Sequence, residues 1–483
     1  MHYIVSIDQS TQSTKALLFD HKGNIVKRVD KKHKQIINEL GYVSHDPMEI
    51  YRNTIETVKE LIATSHIDKN HIKALGISNQ RETTVIWDTY GKPLADAVVW
   101  QCSRASEIVK RYEAYKDEIY RITGLVLSPY FPASKMRWLI ENIKPSEGKY
   151  FFGTIDTWLI YCLTNKTSYK TDVSNASRTQ LFDIHTETWS KRLCTLFGID
   201  VTSLPEVCDS NACFGYTDFE GYLDSKIPIY GVLGDSHAAL YGQGCHKEGQ
   251  VKATLGTGSS IMMNIGKDYK KSEHGLTTSL AWKIDGVTEY VFEGNINYAG
   301  AIISWLQNDL GLITYPDDTI DAIYKSNIED ETILVPAFSG LSAPYWNEDV
   351  RAMFYGMSRT TKKNELIKAS IESIAYQISD VLHAMARDSG LTLTEVKTDG
   401  RPSKNMYLMQ FLSDMARTTV LASAQEELSA IGVAYLAGIT AGIYKKEEIF
   451  AHRQYEVYHC KMEMDTWKKR MDRWYHAIQV LLK

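Results

Sequence analysis

The sequence predicts an α/β protein of two lobes, on three observations. Its 483 residues exceed what one ordinary hydrophobic core holds, so two or three domains are expected. Strand-like and helix-like segments alternate along it. A strand–turn–strand unit rich in hydroxyl and glycine residues occurs twice, once in each half. The first runs from Tyr3-Ile4-Val5-Ser6-Ile7 through Asp8-Gln9-Ser10-Thr11-Gln12-Ser13 into Thr14 to Phe19. The second runs from Val251 to Leu255 through Gly256-Thr257-Gly258-Ser259-Ser260 into Ile261 to Met263. Such turns leave backbone N–H groups and hydroxyls free to grip anionic oxygens. One alone is an ordinary turn; two, one per half, point to lobes closing on a polyphosphate.

The elements follow in order. Asp46-Pro47 reads as a helix start, and Ile50, Ile55, Val58, Leu61 and Ile62 then recur at helical spacing. His71 to Ser78 is strand-like and ends in the polar stretch Asn79-Gln80-Arg81-Glu82-Thr83. Val85-Ile86-Trp87 is a further strand, turned by Asp88-Thr89-Tyr90-Gly91. Ile227 to Leu233 is an apolar strand that stops at Gly234-Asp235, with Pro228 near its start, where a strand tolerates proline. The second hairpin begins shortly afterwards, so the division is placed between residues 1–247 and 248–483. The longest helix is expected over Lys363 to Arg387, with Leu366, Ile367, Ile371, Ile374, Ile378, Val381 and Leu382 on one face. The charged, aromatic tail after Lys445 reads as terminal helices.

Composition narrows the class. Hydrophobic content of 44% and charged content of 23% are those of a soluble globular protein. A net charge of −5 argues against a nucleic-acid surface. No run is apolar enough to span a bilayer, and Asp8 interrupts the N-terminal apolar stretch too early for a signal peptide. Seven scattered cysteines without CxxC pairs fit a reducing cytosol, so a cytoplasmic enzyme is expected.

Several residues could carry chemistry. Asp8 and Asp235 each stand where an apolar strand stops, which is where ligands of α/β sheets collect. A carboxylate there can hold Mg²⁺ or accept a proton, or it can simply be solvated or cap a helix. Arg81 and Glu82 can together hold vicinal hydroxyls, or form a surface salt bridge. Trp100 and Tyr130 can wall a carbon chain, or pack like other aromatics. Asp399-Gly400-Arg401-Pro402-Ser403-Lys404-Asn405 precedes a helix and can bring N–H groups to a nucleotide. His66, His237 and His246 have no partners at metal-ligand spacing and read as structural or surface residues.

Taken together, these segments resemble the FGGY family of carbohydrate kinases, and within it the glycerol kinases most closely. The resemblance is carried in order by Ser6 to Thr11, Ile77 to Thr83, Val98 to Gln101, Gly153 to Leu159 and Asn175 to Thr179. It continues through Gly234-Asp235, Gly256 to Gly258, Val335 to Trp346 and Ser373 to Gln377. It implies two actin-like, ribonuclease-H-like domains with an active-site cleft between them. The N-terminal domain would bind the polyol or sugar and carry the catalytic aspartate; the C-terminal domain would bind the nucleotide. ATP and Mg²⁺ are implied. Asp235 would be the general base, and Asp8 and Asp235 would serve the metal. Arg81, Glu82, Trp100, Tyr130, Asp235, Ser236 and Ser260 would line the substrate pocket. Thr11, Gln12, Ser13 and Lys15 would meet phosphate from one side, and Gly256 and Thr257 from the other. Gly400, Arg401 and Asn405 would meet the adenosine. A small polyol or sugar is the implied partner, with no nucleic acid and no membrane, and room for a homodimer or higher homo-oligomer.

Four positions depart from the family pattern. Ser236 replaces a glutamine, and Ser260 falls where a phenylalanine lines the pocket. Both changes shrink side chains, so a roomier, more polar pocket is expected, suited to a tetritol, pentitol or ketose. Retention of Arg81, Glu82, Trp100 and Tyr130 favours glycerol. Arg401 and Ser10 replace glycines near the nucleotide and in the first phosphate turn, which makes weak turnover in a kinase-like binding protein the further alternative.

Overall fold

A computed structural model describes residues 2–146, 149–451 and 453–483. The first lobe is built on a sheet of six strands: β1 (Tyr3–Gln9), β2 (Ser13–Phe19), β3 (Ile25–Lys32), β4 (Ile72–Asn79), β5 (Tyr216–Thr217) and β6 (Ile227–Gly234), in the spatial order β5-β6-β4-β1-β2-β3. Strands β1, β2 and β3 form an antiparallel meander, whereas β4 and β6 run parallel to β1. Helix α1 (Pro47–Ser65) connects the meander to β4. Asp46 caps it by accepting from Met48 N at 2.8 Å, and Pro47 supplies a first helical residue with no N–H to satisfy. Its buried face carries Ile50, Ile55, Val58, Leu61 and Ile62, the residues whose spacing predicts it.

Helix α2 (Asp235–Gly242) then leads to the second lobe. Its sheet holds β7 (Val251–Leu255), β8 (Ser259–Gly266), β9 (Thr277–Ile284) and β10 (Val287–Ile296). Helix α3 (Lys363–Ser389) precedes β11 (Glu395–Asp399), and helix α4 (Met406–Ala416) precedes β12 (Thr419–Ser423). Beyond them come helix α5 (Leu428–Thr440), strand β13 (Tyr455–Tyr458) and helix α6 (Met464–Leu481). The order is β9-β10-β8-β7-β11-β12-β13. Strands β10, β8 and β7 are antiparallel, and β11 and β12 continue parallel to β7. The arrangement of β3, β2, β1, β4 and β6 is therefore repeated by β10, β8, β7, β11 and β12. The two hairpins of the sequence, β1–β2 and β7–β8, occupy equivalent places in the two repeats.

Two details differ from the sequence-based expectation. The second turn is shorter: Ser259 and Ser260 already belong to β8, because Gly256 N bonds Gly258 O at 2.8 Å and closes the turn. The tail is not wholly helical, since β13 pairs with β12 through Val420 and Tyr458 before α6 begins. This edge strand of four residues, Tyr455-Glu456-Val457-Tyr458, is too short to establish a period of its own.

Helix α5 comes from the C-terminal half yet packs on the first sheet. At Gly76 of β4 an added Cβ would lie 2.4 Å from Val433 O. The helix also crosses α2 backbone to backbone, through Gly242 and Gly432. A Cβ on Gly432 would meet Ala238 O at 2.0 Å, and one on Gly242 would meet Leu428 O at 2.2 Å. Among the described residues no helix is long and apolar enough to cross a membrane.

Candidate active site

The parallel strands of the first lobe end at one edge, and the register fixes which residues meet there. Asp8 lies opposite Ser78 on β4, and Gly234 lies opposite Asn79. This places Asp8, the Arg81–Glu82 segment and Asp235 together at the carboxyl ends of β1, β4 and β6, the usual ligand edge of such a sheet. In the second lobe the same register argument pairs Thr254 with Asp399, so the Gly256 turn and Gly400 share an edge.

Asp235 is the first residue of α2, and Gly234, not Asp235, is the cap. Its Oδ1 accepts from Ser236 N at 2.6 Å and lies 3.3 Å from Arg81 Nε. Its side chain keeps 36% of its surface open to the cleft, whereas Asp8 is 6% exposed. Withdrawal from water raises the Asp235 pKa, aided by the negative charge of Asp8 and opposed by Arg81. Asp8 is also raised, chiefly by burial, against the nearby Lys15. Its Oδ1 accepts from Ser78 Oγ at 3.1 Å. Asp235, whose charge is disfavoured in part by the negative Asp8, and Asp8 itself are carboxylates between which a cation can be shared. Among the described residues no cluster of three or more His, Cys, Asp or Glu side chains is arranged to hold a metal. This donor set fits Mg²⁺, which binds through one or two carboxylates, water and substrate phosphates.

Arg81 and Glu82 do not form a surface salt bridge. Both are buried, and each has a different partner. Arg81 Nη1 and Nη2 donate to Glu293 at 3.0 and 2.6 Å, and Arg178 Nε donates to Glu82 Oε1 at 2.7 Å. Glu82 has φ 60°, a left-handed backbone unusual outside glycine and asparagine, and such strain collects at functional sites. Trp100 and Tyr130 stand with ring centroids 5.4 Å apart and form one wall. Trp100 Nε1 donates to Thr11 Oγ1 at 2.9 Å, which ties that wall to the first hairpin turn. Lys135, fully buried, donates to the carbonyls of Pro129 and Tyr130 and holds the other side of the wall in place.

In the first turn, Gln12 is exposed and Thr11 and Ser13 are half-buried. Ser10 Oγ donates to Ser13 O at 2.9 Å and accepts from Ser13 N at 3.3 Å, so the serine that replaces glycine closes the turn itself. Lys15 Nζ donates to Glu427 at 2.6 Å and lies 3.5 Å from Asp8. Burial works against its charge, but these two carboxylates outweigh burial and raise its pKa. In the second lobe, Gly256 and Thr257 are exposed at the turn. Gly400 has φ 93°, and its Cα lies so close to β7 that a Cβ would sit 2.0 Å from Leu255 O. Arg401 is exposed, while Asn405 caps α4 by accepting from Leu408 N at 3.0 Å. Ser236 is half-buried beside Asp235. The Ser260 hydroxyl is engaged, 3.2 Å from Lys252 Nζ and 3.3 Å from Glu293 Oε1. His237 is buried beside Ser279 and His246 bonds Tyr241 O, as structural residues do.

Sequence reasoning gave no role to Glu293, Arg178, Lys252, Glu427 or Lys135. Burial lowers the Lys252 pKa to about 8, against the carboxylates of Asp399 and Glu293. A charged residue inside a strand such as Val291-Phe292-Glu293-Gly294 was the available signal, since a buried charge needs a partner.

Known proteins are similar to this chain in sequence and in fold. A model of the N-terminal domain of the FGGY family of carbohydrate kinases matches residues 3–242, and one of the C-terminal domain matches residues 251–441. The chain is 44% identical to glycerol kinase 1 of Thermotoga maritima, over 99% of each chain. It superposes on the crystal structure of Plasmodium falciparum glycerol kinase with ADP with a TM-score of 0.94, at 36% identity, covering 100% of this chain and 99% of that one. The xylulose kinase of Lactobacillus acidophilus, at 21% identity and a TM-score of 0.92, shares the fold.

Proposed function

We infer, since the chain belongs to the FGGY family of carbohydrate kinases, that it transfers the γ-phosphoryl group of ATP to a hydroxyl of a small polyol, and that this polyol is glycerol. The observation that carries the choice is the convergence of Arg81, Glu82, Trp100, Tyr130 and Asp235 on one cleft. The longer tetritol, pentitol or ketose expected from Ser236 and Ser260 is not favoured, because the full-length relatives are glycerol kinases and the Ser260 hydroxyl is engaged by Lys252 and Glu293.

In this reading Glu82 accepts from one polyol hydroxyl and Arg81 donates to its neighbour. The Trp100–Tyr130 wall takes the C–H face. Asp235 Oδ takes the proton of the reacting hydroxyl as the oxygen attacks phosphorus. Lys15 and the turn N–H groups of residues 11, 12 and 257 hold phosphate oxygens, and Gly400 to Asn405 meet the adenosine. Asp8, with Asp235 nearby, would hold Mg²⁺, which would neutralise charge on the phosphates. Closure of the lobes excludes water that would otherwise accept the phosphoryl group. The seven cysteines are all free, which supports a reducing, cytoplasmic location.

The test is a coupled ADP-release assay on a panel of glycerol, erythritol, xylitol and a ketose. Turnover stimulated most by glycerol is expected, and turnover indifferent to every polyol would overturn the reading. A pH profile adds a second check. The base works only when ionised, and its pKa is raised, so kcat/KM should fall as pH drops through a value above the ordinary aspartate range of about 4. An acid limb at or below that range would contradict Asp235 as the base.

A further inference from the structure

Glu293 is a buried carboxylate of the second lobe that receives guanidinium donors from the first. It lies inside β10, opposite Met262 of β8 and Thr277 of β9, with its side chain fully buried. Its two oxygens receive four donors from both lobes. Arg81 Nη1 reaches Oε2 at 3.0 Å, and Arg81 Nη2 reaches Oε1 at 2.6 Å. Arg178 Nη1 reaches Oε2 at 2.7 Å, and Ser260 Oγ reaches Oε1 at 3.3 Å. Burial alone would push this carboxyl toward its neutral form; the guanidiniums of Arg178 and Arg81 overcome that and hold it ionised.

The geometry at Arg81 shows what this does. A guanidinium is planar, and a carboxylate that binds both terminal nitrogens fixes the plane. With the plane fixed, Arg81 Nε faces Asp235 Oδ1 at 3.3 Å. Arg178, which shares the Glu293 carboxylate, uses its own Nε to hold Glu82 at 2.7 Å. One carboxylate of the second lobe thus orients both first-lobe groups assigned to the polyol hydroxyls. A structural pin between the lobes has no need of this, because a buried ion network is often no more stabilising than apolar packing of equal volume.

We propose that Glu293 is a positioning residue for polyol binding: the second lobe sets Arg81, and through Arg178 also Glu82, so that lobe closure and completion of the polyol pocket are one event. This rests on the polyol-kinase reading above. Glu293 itself is fully buried and is assigned no contact with the polyol.

The full-length protein and its Glu293→Gln variant decide it, with KM and kcat measured separately for glycerol and for ATP. The glutamine keeps the volume but binds only weakly to two guanidiniums. Its expected signature is a glycerol KM raised about tenfold or more, with the ATP KM within about twofold and ADP still raising the thermal midpoint. Glu293→Asp keeps the charge on a shorter stem and should recover part of the lost affinity. An unchanged glycerol KM would overturn the proposal. So would a parallel loss of glycerol affinity, ATP affinity and thermal stability, the pattern of a simple pin. If Glu293→Gln does not fold, Glu293→Asp decides alone: it must raise the glycerol KM while leaving the ADP response intact. Failure of the kinase reading is distinct, because it shows in the wild type as absence of polyol-stimulated ADP release, and it would overturn both.

Discussion

Asp235→Asn is expected to lower kcat by about 10² to 10⁴ while polyol and nucleotide remain bound. The substitution removes the proton acceptor and little else. The asparagine oxygen can still accept from Ser236 N and stay beside Arg81 Nε, as Oδ1 does now. The backbone is held independently, since Ser429 Oγ donates to Asp235 O at 3.0 Å. Loss of one negative charge also relieves the repulsion with Asp8, so nucleotide affinity is not expected to fall. The measurements are kcat by coupled ADP release and the ADP-induced rise in thermal midpoint. A kcat near that of the wild type would refute the base role. Loss of the ADP response as well would show that Asp235 chiefly holds the metal and phosphates.

The reach of the sequence was set by distance along the chain. The strand ends at Asp8 and Asp235 and the two hairpin turns were legible because a strand that stops at a polar residue is a local pattern. The family motifs then assigned roles to Arg81 and Glu82. Their actual partners were not legible, because nothing local in Val291-Phe292-Glu293 points to Arg81, which is 212 residues away. The same holds for Glu82 and Arg178, 96 residues apart, and for Lys15 and Glu427, 412 apart. Two serines have hydroxyl partners that the sequence did not reveal. Ser260 was expected to exchange an apolar wall for a hydroxyl in a roomier pocket, and Ser10 to alter the first turn; each hydroxyl is engaged by groups close to it in space. Ser10 closes the phosphate turn and Ser260 joins Lys252 to Glu293. Helix α5 escaped too: its return to the first sheet depends on glycines whose partners lie in other elements, as Gly76 shows with Val433.

That return makes the second large effect. Gly432→Ala is expected to lower kcat by about 10²-fold although helix α5 carries no residue assigned to polyol or nucleotide. The added Cβ would sit 2.0 Å from Ala238 O, a backbone atom that cannot rotate away. Gly242 closes the same crossing from the α2 side, so neither helix has slack there. Helices α2 and α5 must therefore separate, and overpacking of this kind typically costs about 1–3 kcal/mol. Asp235 begins α2, so moving the helix moves the base, and Ser429 at the start of α5 is pulled from its bond to Asp235 O. Positioning is steeply distance-dependent in catalysis: a shift of about 1 Å far from the chemistry can cost about 10² in rate. ATP affinity should change less, because the Gly256 turn and the Gly400 segment stand on the other sheet. The readouts are kcat and the two KM values beside the thermal midpoint of the purified variant. A lowered midpoint with unchanged kcat would show that the crossing stabilises the fold without placing the base. A lowered kcat at unchanged glycerol and ATP KM is the result expected if α5, supplied by the far end of the chain, sets the position of Asp235.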